Sequence, residues 1–188
     1  MRNQTPAMKT PMKTPDRSRK TLTGLALALF AAAMALPEAQ ALPKDTLNPV
    51  DVQFVKHEAA AGLGMVKIAE LGVMKVQNAD VKAFAEKLVA DHSGANAELK
   101  QLAVDKGIDL SAVVDPADAK TFQDLEKVSG AAFDKAFLAA VVSAHKTCVD
   151  HFEAESKDAK NSDLKLWVDK MTPTLKSHLA RAEELHSR

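Results

Sequence analysis

Tyrosine is absent from these 188 residues, and seven phenylalanines and one tryptophan make up the aromatic complement. Runs of β-branched residues are short, so little in the chain argues for a sheet. Cys148 is the only cysteine, which excludes an internal disulfide. Stability must therefore come from a packed core. The plain reading of Cys148 is a buried, inert thiol, and a reactive one is the alternative. No glycine-rich phosphate loop, Cys-x-x-Cys pair or Gly-x-Ser-x-Gly elbow is present. Those absences remove the common signatures of nucleotide binding, dithiol redox chemistry and serine hydrolysis. No acidic or amide orienter is evident that would make Cys148 a nucleophile with His145.

What is present begins with a leader. Arg17, Arg19 and Lys20 precede the apolar run LTGLALALFAAAMAL, and Ala39-Gln40-Ala41 supplies small residues at signal-peptidase spacing. The reading is a signal peptide over 1–41 with cleavage after Ala41, a short linker over 42–47 and one domain over 48–188. The apolar run falls short of the ~20 residues of a comfortable membrane span. An uncleaved anchor is the competing reading, and translation could also start at Met8 or Met12. The leader holds six of 25 basic and two of 25 acidic residues, which leaves 19 basic against 23 acidic, a net −4. A mildly acidic domain gives no electrostatic reason to expect nucleic acid. No transmembrane segment is expected in the mature chain.

The domain reads as almost entirely helical. Asn48-Pro49 opens a first long helix, since asparagine caps well and proline is tolerated at the first helical position. Its apolar seam is read as Val52, Val55, Ala59, Gly62, Val66, Ala69, Val73 and Val76. Asn78 caps a second helix with the seam Val81, Ala85, Leu88, His92, Ala95, Leu99 and Leu102, stopped at Gly107. Asp115-Pro116 starts a short helix to about Lys127. Ser129 is the expected cap of a third long helix, with the seam Leu138, Val141, His145, Cys148 and Phe152. Asn161 or Ser162 caps the last, with the seam Leu164, Val168, Met171, Leu175, His178, Ala182 and Leu185. Pro173 should kink this helix or divide it, with Thr172 as a second cap. The expected fold class is all-α: a ferritin-like four-helix bundle. Two antiparallel helical hairpins are joined by a longer connection carrying a short extra helix. That connection looks short for a full-length crossover, and a plain up-down-up-down bundle is the alternative.

Three histidines, His92, His145 and His178, fall in three seams near mid-helix. Counting from the last turn at 1.5 Å per residue puts His145 and His178 within roughly 3–4 Å of one level. His92 joins them if the hairpins are in register. Met65 is the first helix's residue nearest that level. Three imidazoles suit a transition metal such as Zn, Cu or Fe, and Glu58 and Asp91 could complete the set. The Glu-x-x-His pattern of di-iron bundles is missing, because Val89, Val142 and Leu175 stand three residues before the histidines. A structural polar layer that fixes register is the other reading. His57, His151 and His186 read as surface residues, with His151 paired to Glu155 at helical spacing.

The stretches FVKHEAAAGLGMVKIAELG, NADVKAFAEKLVADHSGANAELKQLAVDKGIDL, FDKAFLAAVVSAHKTCVDHFEAESK and MTPTLKSHL together resemble the exported bacterial domain-of-unknown-function 4142 family. The resemblance covers nearly all of the mature chain. It implies a ferritin-like helical bundle in the periplasm, with outer-membrane association as a variant, and it implies no reaction. It also implies that His92, His145 and His178 are shared family positions. Met65 stands where the resemblance leads one to expect an acidic residue, which makes any site softer than an iron–carboxylate centre. The functional expectation is thus an exported bundle of unknown function that could bind a transition metal, leaning away from an enzyme. The alternative is an interaction module of the envelope-stress kind, engaging a protein partner, with purely structural histidines.

Overall fold

The computed structural model describes residues 46–188, so the leader reading of 1–41 and most of the linker lie outside the described residues. Five helices follow in order: α1 (Pro49–Lys75), α2 (Ala79–Asp105), α3 (Pro116–Glu126), α4 (Ala131–Asp158) and α5 (Ser162–His186). Among the described residues there is no strand, and no helix is long and apolar enough to cross a membrane.

Local chemistry sets the helix ends. The Asn48 side chain accepts from the backbone N–H groups of Val50 and Asp51, with Pro49 at the first position. Asn78 and Asn161 cap α2 and α5 in the same way. Each satisfies donors that the first helical turn leaves unpaired. Past α2, Gly107 takes φ 70°, the left-handed conformation that ends helices. The expected Ser129 cap does not form. Gly130, at φ 65°, stands directly before α4, and no side chain caps that end. Pro173 does not divide the last helix, which runs unbroken from Ser162 to His186. The Thr172 hydroxyl donates to the Val168 carbonyl at 2.7 Å one turn back instead of starting a new segment.

The two hairpins are α1–α2 and α4–α5, and α1 also packs on α4 as α2 does on α5. End contacts fix the directions. The Asp134 carboxylate, near the start of α4, accepts from the backbone N–H groups of Gln77 and Asn78 in the α1–α2 turn. At the far end the Lys106 ammonium, just past α2, bonds Asp163 at the start of α5 at 2.6 Å. So α2 and α4 run parallel, and the link over 106–130 travels the whole length of the bundle. A helix of this length rises about 40 Å. The link covers that distance because α3 supplies roughly 16 Å and its remaining residues up to about 3.3 Å each. The connection is therefore a full crossover, the ferritin-like arrangement, and the up-down-up-down alternative is excluded.

The first-helix seam holds at Val55, Ala59 and Ala69 and then departs from expectation. Glu58, Met65, Ile68 and Gly72 are buried, whereas Val52, Val66, Val73 and Val76 are only half-buried. The reason is that α1 meets neighbours on three sides: α2, α3 and α4. Glycines allow the approach. A Cβ at Gly72 would lie 2.6 Å from the Phe137 ring, and one at Gly64 would lie 2.5 Å from the Asp118 side chain. A helix covered on several sides buries more than one stripe.

The apolar core is two clusters. One, around Phe84, Leu88, Phe133 and Phe137, fills the end where α4 begins. The other, around Leu99, Phe152, Leu164 and Trp167, fills the opposite end. Three of the buried polar residues, Glu58, His145 and His178, lie between them.

Candidate metal centre

A cavity of about 430 Å³ opens between the apolar clusters. Five histidines (57, 92, 145, 151 and 178) and four carboxyl residues (Glu58, Asp91, Asp115 and Asp118) line it, and among the described residues no lysine or arginine does. Such a wall is rich in electron-pair donors, and Asp91 is balanced from outside it by the Lys87 ammonium at 2.7 Å.

His92 from α2, His145 from α4 and His178 from α5 meet in one layer. Their ring centroids are 5.3, 5.4 and 5.5 Å apart, and each ring offers a nitrogen within 4.8 Å of the other two. The level count from the sequence thus predicted the juxtaposition. Met65 lines the same cavity, as that count also expected. His145 and His178 are buried, and His92 is partly so.

Hydrogen bonds assign the ring nitrogens. His145 Nδ1 lies 3.0 Å from the Val141 carbonyl oxygen, which only accepts, so Nδ1 carries the proton and Nε2 keeps its lone pair. His178 Nε2 lies 2.8 Å from Asp91 Oδ2 and donates to it. His178 Nδ1 is then a bare lone pair, and it is buried with no hydrogen-bond partner. A buried polar atom without a partner calls for an explanation, and ion binding is one of the standard ones. His92 Nε2 stands 3.3 Å from His145 Nε2. That matches the edge of a tetrahedron built on metal–nitrogen bonds of about 2.0–2.1 Å, which is roughly 3.3–3.4 Å.

Electrostatics keep the rings neutral. Burial, with the neighbouring His145 and His178, pushes His92 down to about 3. Burial and His178 push His145 down to about 4, against the opposing pull of the Val141 carbonyl. Burial also lowers His178, although Asp91 works the other way. Neutral imidazole is the ligating form. Burial alone would raise Asp91, but hydrogen bonds from Lys87 and His178 outweigh it and hold the carboxyl below its usual range. Asp91 thus stays ionised and stands behind His178, the position of an orienting carboxylate.

Glu58 does not join this layer. It is buried beside His57 and His151, whose nitrogens lie 3.9 and 3.4 Å from its Oε1. The Cys148 thiol donates to its Oε2 at 3.6 Å. The expected pairing of His151 with Glu155 does not occur: the ring turns to Glu58, and Glu155 is buried with one carboxyl oxygen unpartnered. His57 and His151 are exposed, as the sequence suggested, yet they face the cavity rather than open surface. Sequence reasoning missed this cluster because neither ring lies in a seam. What joins them is the antiparallel register of α1 and α4, which only the structure supplies. Stepping back from Gly72 to Glu58 covers as many residues as stepping on from Phe137 to His151, so the register that sets the first pair side by side also sets the second. Cys148 is half-buried and lines the cavity rather than being fully buried; burial raises its thiol, and Glu58 adds to the effect.

Among solved structures, a DUF305 fragment from Deinococcus radiodurans is similar in fold. Its TM-score is 0.68 at 15% identity, covering 76% of this chain and 99% of that one. No curated protein matches the chain. The family model of a domain of unknown function, DUF4142, matches residues 36–185, a span that includes all the histidine-bearing stretches, and the chain belongs to that family.

Proposed function

We propose that this chain is an exported, periplasmic bundle that binds a transition metal ion (Zn, Cu or Fe) through His92, His145 and His178. The observation that carries the reading is the meeting of three ring nitrogens in one layer, above all the partnerless Nδ1 of His178. A purely structural layer would be expected to satisfy that atom. The leader, read as a signal peptide over 1–41 ahead of the bundle, supports the compartment. The proposal assigns binding and no reaction.

The residues present divide the work. His92, His145 and His178 would hold the ion, and the Val141 carbonyl and Asp91 would fix the tautomers of the second and third ring. Met65 and Met171, which also line the cavity, offer only soft thioether sulfur. When bound, the ion supplies Lewis acidity, and redox capacity if it is copper or iron.

Metal analysis of tag-free protein purified without chelators tests the proposal. A stoichiometric ion is expected, and His92→Ala should lose it. Restoring the ion to stripped protein at a hundredfold excess over the dissociation constant should stabilise the fold by about 2.7 kcal/mol. Metal-free protein whose melting temperature ignores Zn²⁺, Cu²⁺ and Fe²⁺ would return the triad to a structural role.

A further inference from the structure

We propose that His57, Glu58 and His151 form a second divalent-cation site, of the two-histidine, one-carboxylate kind, at the exposed side of the same cavity. It uses none of the triad's residues and stands whether or not the triad holds an ion.

Geometry comes first. The three side chains converge from α1 and α4, and each offers a ligand atom within 4.8 Å of the other two. The two rings meet edge to face with centroids 5.3 Å apart. The Glu58 oxygens are divided: Oε2 takes the Cys148 thiol, and Oε1 faces both imidazoles. The nitrogen–oxygen separations of 3.4 and 3.9 Å are longer than a charge-assisted hydrogen bond of about 2.7–2.9 Å. The groups are gathered without being firmly bonded to one another. Separations near 3.3 Å are what a shared ion with bonds of about 2.0–2.2 Å would impose, so small shifts of two exposed rings complete the set.

Charge is the second argument. Glu58 is only 6% exposed, and a buried carboxylate needs a counter-charge. Among the described residues, none of the cavity lining is lysine or arginine. Asp118 stands close enough to act electrostatically on both Glu58 and His57, and Asp115 stands beside Asp118, so the surroundings are acidic. A divalent cation meets this deficit and uses the imidazole lone pairs as well. Nitrogen and carboxylate donors with open positions suit Zn²⁺, Fe²⁺ or Co²⁺. The site faces solvent and lies roughly 9 Å along α4 from His145, by the rise between residues 145 and 151.

Co²⁺ titration of the tag-free protein, read by dialysis equilibrium and visible absorption, decides the matter. Wild type should take up two equivalents. His57→Gln/His151→Gln should retain one, and so should His92→Gln/His145→Gln. Both rings of the first pair are exposed, so that variant should fold as wild type does, checked by circular dichroism. Glu58→Gln, nearly isosteric, should weaken the second equivalent at least tenfold. Uptake of one equivalent lost only in His92→Gln/His145→Gln overturns this site and leaves the triad. One equivalent lost only in His57→Gln/His151→Gln upholds this site and removes the triad reading. No uptake overturns both.

Discussion

The triad and the mouth cluster sit in one cavity, use the same chemical vocabulary and differ in burial. The triad is three imidazoles with two buried and the third partly so, and its single carboxylate stands behind a ring. At the mouth the order is inverted: the carboxylate is buried, and the rings are exposed. Burial pushes the triad nitrogens toward the neutral form, which readies them for a metal. The same effect pushes Glu58 up to about 7, away from the ionised form a metal needs. A low-dielectric wall therefore prepares one cluster and penalises the other.

The largest effect that would sharpen this contrast comes from behind the triad. Asp91→Asn removes the anion that fixes His178, and loss of such an outer partner typically costs 10–100-fold in metal affinity. Competition against a chelating dye should show that loss for the triad's ion and no change for the mouth's. An equal loss at both would mean that the two clusters are not separate sites.

Acid should separate the two regions next. In metal-free protein His92 and His145 fall from an ordinary 6.5 to about 3 and about 4. A depressed histidine binds its proton first in the unfolded chain. Its contribution to stability is thus whole above about pH 6.5 and drains as pH falls toward 4. Glu58, raised from 4.5 to about 7, has the opposite sign. Its contribution is whole below pH 4.5 and is lost as pH rises through 7. Urea midpoints at pH 4.5, 6 and 8 should therefore fall less steeply in acid for His92→Gln/His145→Gln than for wild type. Glu58→Gln should gain relative stability at pH 8. Parallel curves for all three proteins would remove the electrostatic distinction.

The smallest effect is expected at the exposed rings. His57→Gln/His151→Gln should change the stability of metal-free protein by no more than about 0.5 kcal/mol, the usual range for surface positions. A larger loss in thermal unfolding would mean that the mouth cluster is a structural element.

The triad was legible in the sequence because its members obey the rule that made the helices legible. Each falls on the 3.6-residue seam, so helix period and rise together predict a common layer. The caps at Asn48, Asn78 and Asn161 were legible for an equally local reason. What was not legible depended on contacts between distant elements. The α1 seam departs because α3 covers another side, and nothing within α1 announces α3. His151 turned to Glu58 instead of Glu155 because α1 lies beside α4, a fact of topology rather than spacing. The full crossover was underestimated because a link read by residue count hides how far its non-helical residues reach when extended.

The crossover has one more consequence. It divides the chain into an earlier half, α1 and α2, and a later half, α4 and α5. The triad draws one ring from the earlier half and two from the later, whereas the mouth draws two groups from the earlier and one from the later. Neither half contains a whole ligand set. Each cluster exists only where the halves meet, so an ion held there would act as a clasp across that seam.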